Sequence, residues 1–109
     1  MNRLDEADPL YQLYLPLTYN DGRLIEEVKF DITRKEIVAR FGGLTNTPPG
    51  FPLQGWWQSA GAVLRDDILV WTVLTQGDEN GYFHNYKEVL KDRFAQDEIF
   101  IVKIPAEAL

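Results

Sequence analysis

The order strand, helix, strand, strand, helix, strand predicts a ferredoxin-like α+β fold, with a four-stranded antiparallel sheet and two helices on one of its faces. Three observations carry that prediction. Apolar residues alternate with period two at Tyr11, Leu13, Leu15 and Leu17, and again through Ile68–Thr75. Two intervening segments carry apolar stripes at helical spacing. The chain of 109 residues, 45% hydrophobic and 26% charged, has the size and composition of one globular domain. Residues 1–10 read as a loose N-terminal arm and 11–109 as a single α+β domain.

The first strand follows Pro9 and carries Gln12, Tyr14 and Pro16 on its second face; Pro16 favours an edge or a bulge. Asn20-Asp21-Gly22 is a turn, because Asn and Asp tolerate left-handed geometry and Gly adopts it freely. Phe30, Thr33, Ile37, Val38 and Phe41 form a helical stripe within 26–41, stopped by Gly42-Gly43. Asp31/Lys35 and Glu36/Arg40 suit i,i+4 pairs on its solvated side. Leu44-Thr45 begins a short strand, and the stretch 46–55, with Pro48, Pro49 and Pro52, is a stiff loop. Gly55–Gln58 and Ala62–Arg65 flank a small-residue turn as a hairpin tip, and Asp66-Asp67 separates that tip from the strand at Ile68. Tyr82, Tyr86, Val89, Leu90 and Phe94 mark the second helix, and 98–104 is the last strand, ending before Pro105.

Both faces of the sheet are apolar. Ile68, Val70 and Leu74 alternate with Leu69, Trp71 and Val73, and Phe100, Val102 and Ile104 alternate with Ile99 and Ile101. The helices cover one face only. The other therefore needs a second cover, because monomers rarely leave a large contiguous apolar patch in water. A second copy of the chain, forming a homodimer, is the leading choice; the Pro-rich loop, a small molecule or another protein are the alternatives. Of the adjacent Trp56 and Trp57, one should meet the helices and the other the open face. Tyr14, Trp56, Trp57, Trp71, Tyr86 and His84 are the candidate interface or ligand-facing residues.

The residue inventory narrows the chemistry. A net charge of −6 opposes phosphate neutralisation, and the RNA-recognition signature is missing although Tyr14, Trp57 and Trp71 resemble a stacking platform, so no nucleic-acid partner is expected. No apolar run approaches a membrane span, and acids in the first ten residues are unlike a secretory signal, so the expected location is the cytoplasm. There is no cysteine and His84 is the single histidine, which removes a tetrahedral N/S zinc site within one chain. Asp5-Glu6-Ala7-Asp8 spells a nucleotide-hydrolysis box without its phosphate-binding loop. Asp78-Glu79-Asn80-Gly81 lacks calcium-loop spacing and reads as a capped turn. Ser59, the only serine, has no nucleophile elbow. Carboxylates such as Asp66, Asp67 and Asp78 are the remaining acid–base candidates. No catalytic residue, cofactor or metal is assigned.

Leu15-Pro16-Leu17, Asn20-Asp21-Gly22, Phe41-Gly42-Gly43-Leu44-Thr45, Gly55-Trp56 and Asp67, in that order, resemble a loose group of small uncharacterised bacterial proteins, some filed as domains of unknown function. These share a strand, a helix, F-G-G-x-T, G-x-W or G-W, and an acid before an apolar strand. The resemblance spans 11–104, with a longer link at Pro48–Leu53. It implies the same architecture and no activity. The sequence thus reads as a non-catalytic binding or protein-interaction module that homodimerises through its apolar sheet face; the alternative is a small enzyme or small-molecule-binding protein of the dimeric α+β barrel type.

Overall fold

The computed structural model describes residues 8–107 and 109. The first seven residues of the expected arm, with most of the Asp5–Asp8 box, lie outside the described residues. The elements run β1 (Leu10–Pro16), α1 (Glu27–Phe41), β2 (Thr45–Asn46), β3 (Leu53–Ser59), β4 (Ala62–Leu74), α2 (Asn80–Arg93) and β5 (Phe100–Ile104). The sheet is antiparallel in order β2-β4-β1-β5, with β3 paired to the other half of β4 on the same edge as β2. The fold is ferredoxin-like, with five strands instead of four among the described residues. The extra strand is the two-residue β2, which the prolines after it keep short.

Register explains which face is buried. Tyr11, Leu13 and Leu15 of β1 stand opposite Val73, Trp71 and Leu69 of β4, and all six are buried under the helices. Onto them α1 brings Phe30 and Ile37, while α2 brings Phe83 and Leu90, with Phe94 just after it. The stripe of α2 thus includes Phe83, whereas Val89, expected inside, is exposed. Thr33, buried in the apolar stripe of α1, donates its hydroxyl to the Lys29 carbonyl one turn earlier (2.8 Å) and stays satisfied. Gly42 ends α1 at φ 85°, its N–H on the Val38 carbonyl.

The helices are also tied by a polar link. Arg93 Nη1 reaches Glu36 Oε1 at 2.7 Å and donates to Thr33 Oγ1 at 2.8 Å, while the Tyr86 hydroxyl donates to Glu36 Oε1 at 2.9 Å. The bond from Arg93 holds the Glu36 carboxyl below its ordinary pKa, and burial pushes the Tyr86 phenol up.

Half of β4 has no helix beneath it. β1 pairs with Ile68–Leu74, so among the described residues Ala62–Asp67 is paired only with β3 and projects as a two-stranded arm. At a strand's rise of about 3.3 Å per residue the arm is roughly 20 Å long. The molecule measures 50 × 34 × 24 Å with a radius of gyration of 15.2 Å, against about 13 Å for a compact domain of this size. Asp66-Asp67 does not interrupt the strand, because the arm is wet on both sides and tolerates acids. Its tip, Ala60-Gly61, has φ of 50° and 81°, the paired positive values of a two-residue hairpin turn.

Candidate functional site

What the helices leave uncovered is a continuous surface. On the body of the sheet it comprises Leu10, Gln12, Tyr14 and Pro16 of β1, Ile68, Val70, Thr72 and Leu74 of β4, and Phe100, Val102 and Ile104 of β5. None of these side chains is charged. Leu74 and Phe100 are 68% and 62% exposed, and the Tyr14 ring meets Phe100 edge-on at 5.8 Å. The Pro-rich loop does not cover this face: Thr47 bonds the Val70 carbonyl at the β4 edge, and Phe51 points into solvent.

The same side continues along the arm. Register places Leu53, Gly55 and Trp57 opposite Ile68, Asp66 and Leu64, so Trp57 and Leu64 extend the open face. Trp56, opposite Arg65, is on the reverse side. Trp56 and Trp57 are 63% and 55% exposed, so neither meets the helices. They do point to opposite sides, but the arm carries both beyond the helical layer.

At the base of the arm Trp57, Asp66, Asp67 and Ile68 meet the 16–22 segment and Gln96 around a cleft of about 420 Å³. One wall is held by the buried Tyr19. Its hydroxyl donates to the Glu26 carboxylate and accepts from Lys29 Nζ at 2.6 Å, while the Arg23 guanidinium stands 5.0 Å from the ring centre. The bond from Tyr19 lowers the Glu26 pKa. Asp67 lies 3.7 Å from Arg65. An exposed indole offers a π-face to a planar or cationic group, and two carboxylates attract donors. The cleft is therefore suited to a flat small molecule rich in hydrogen-bond donors.

Two sequence-based candidates belong to the interior. Trp71 was expected on the open face but is fully buried on the covered one, 6.2 Å from the Phe30 ring, with its indole N–H donating to the Thr47 carbonyl. Tyr86 is buried between the helices on Glu36 and has no part in a surface site. Tyr14 lies on the open face and the exposed His84 on α2. Tyr19 and Gln96 were missed, because the cleft assembles from segments far apart in sequence. Among the described residues no three His, Asp or Glu side chains converge as a metal site, and no helix is long and apolar enough to cross a membrane.

No protein-family model matches the chain, and no curated protein sequence matches it. Solved structures do. The divalent cation tolerance protein CutA1 from Thermus thermophilus superposes with a TM-score of 0.62 at 18% identity, over 94% of this chain and 86% of that one. CutA1 from Oryza sativa gives 0.62 at 10% identity, over 96% and 85%. A phage SAM lyase in complex with S-methyl-5′-thioadenosine gives 0.58 at 17% identity, over 100% of this chain and 98% of that one. The likeness establishes the fold alone. At these identities the same topology is compatible with different chemistries.

Proposed function

We propose that the protein is a self-associating binding module, in which a second copy of the chain lies against the open sheet face and receives the hairpin arm. The observation that carries this reading is the uncharged face formed by β1, β5 and the inner half of β4, on a chain whose net charge is −6. Two copies repel each other through their charges, so an interface between them belongs where charge is absent. The arm supports the same occupant. A two-stranded hairpin is marginal alone in water, and its length of about 20 Å matches the width of four strands spaced about 4.8 Å apart. A homodimer is the smallest closed assembly that covers the face in both copies.

Val70, central on that face opposite Tyr14, is the place to test it. Val70→Glu is expected to release 12.6 kDa chains in sedimentation while the far-ultraviolet circular dichroism keeps its native form. A variant that stays associated contradicts the reading.

A second reading, binding of a small molecule, is favoured by the cleft at the base of the arm. Its indole, carboxylates and amide suit a purine-like ring, and the fold-level likeness to a phage SAM lyase bound to S-methyl-5′-thioadenosine supplies a ligand to try. Calorimetric titration with S-methyl-5′-thioadenosine is expected to saturate. Trp57→Ala should weaken it by about tenfold or more, since stacking on an aromatic side chain is worth about 1–3 kcal/mol per base. No saturable heat with the unmodified protein removes this reading.

A further inference from the structure

A different cavity, on the helical side of the sheet, carries an inference independent of self-association. The alternation in β5 turns Ile101 and Lys103 toward the helices, with Lys103 opposite Tyr11 and Ile101 opposite Leu13. Tyr11 and its other neighbour Val73 are buried. A lysine in that row stands where an apolar side chain would close the core. Instead there is a cavity of about 250 Å³, floored by Tyr11, Phe83 and Ile101. Its far wall is Asn80, His84 and Lys87, which at i, i+4 and i+7 share one side of α2.

Among the described residues three basic side chains line this cavity and no carboxylate does, on a chain with 17 acids against 11 lysines and arginines. The nearest acids are at the rim. Glu98 lies 3.3 Å from Lys87 Nζ and Asp78 lies 3.7 Å from Lys103 Nζ, each acid with a side chain 66% exposed. Both carboxylates are held in place by backbone N–H groups, Asp78 by that of Asn80 at 2.7 Å with the Tyr11 hydroxyl 3.4 Å away, and Glu98 by that of Ile99 at 3.0 Å. Exposed pairs of this kind contribute little, so each lysine can turn from its acid to a better acceptor. The Tyr11 hydroxyl donates to Asn80 Oδ1 at 2.7 Å, which leaves the Asn80 amide nitrogen as a further donor.

We propose that this cavity is an oxyanion site that takes a phosphate group, free or as a small monoester, on Lys87, Lys103, His84 and Asn80. A phosphate presents several acceptor oxygens to converging donors, and charge-assisted bonds of this kind are about twice as strong as neutral ones. The volume exceeds that of a few waters at about 30 Å³ each, so an ester substituent has room beside Phe83.

The single histidine makes the test direct, because its ring proton signals are unique in the spectrum. Inorganic phosphate, titrated at fixed pH and ionic strength, is expected to shift the His84 signals along a saturating curve. Lys103→Met should weaken that binding about tenfold or more, as loss of a charge-assisted bond requires, and Lys91→Met, on the Glu88 side of α2, should leave it unchanged. Phenyl phosphate in a parallel titration separates the sources: tighter binding assigns the site to an ester, equal binding to free phosphate. A shift that never saturates, or equal saturation in Lys103→Met, overturns the proposal. Should Lys103→Met not fold by circular dichroism, Lys87→Gln is read by the same criteria.

Discussion

A single step along β4 carries a side chain from the interior to the open face. Trp71 is enclosed by Phe30 and the Thr47 carbonyl, and Val70, its neighbour, looks the other way beside Tyr14. The two positions should therefore respond differently to substitution. Trp71→Ala is expected to lower unfolding stability by about 3–5 kcal/mol, the usual cost of removing a buried indole, read from urea denaturation. A loss below about 1 kcal/mol would show that Trp71 is not in the core. Sequence alone places Trp71 on the wrong face for a physical reason. Both rows of β4 are apolar, and with a side-chain period of two a shift of one residue exchanges the faces without disturbing the pattern. The largest side chain of the strand is fully buried under the helices.

At the scale of elements, the long-range couplings are what the pattern could not show. Both helices were legible from their stripes and from Gly42. The Glu36–Arg93–Tyr86 link between them was not, because it joins residues of two helices whose mutual position follows only from packing. It has a pH signature. The Glu36 carboxyl has its pKa lowered by the Arg93 hydrogen bond, with Tyr86 assisting. A lowered native pKa stabilises the fold above the unfolded value near 4.5, and that contribution is lost as pH falls through the lowered native value. Glu36→Gln should accordingly flatten the stability profile in the acid range just below about pH 4.5. The effect is modest because the Glu36 side chain is 42% exposed. Urea midpoints of both proteins measured from about pH 6 down to about pH 3 check it, and parallel profiles would contradict the link. The sequence pattern divides the arm into two pieces around Asp66-Asp67, since acids are disfavoured in a strand that has a buried face. Here they sit where neither face is buried.

For the whole molecule, strand and helix order was legible because β1, the inner half of β4 and both helices have a regular period, whereas β3 starts at Leu53, inside the stretch that its prolines mark as a loop. The double-sided oiliness of the sheet was visible as alternation within alternation. The cleft near Trp57 and the basic cavity near Lys103 were not visible as sites. Their walls come from residues as distant as Tyr19 and Gln96, or Tyr11 and Lys103. Lys103 left one trace, a charge in a row otherwise Ile99 and Ile101. Among the described residues nothing covers Phe100, Tyr14, Val70 and Leu74, and the proposed cover is another copy of the chain. The most direct test is the mass of the unmodified protein by light scattering at micromolar concentration. An integral multiple of 12.6 kDa, two or more, is the predicted result; a stable species of a single chain mass across the concentration range would contradict it.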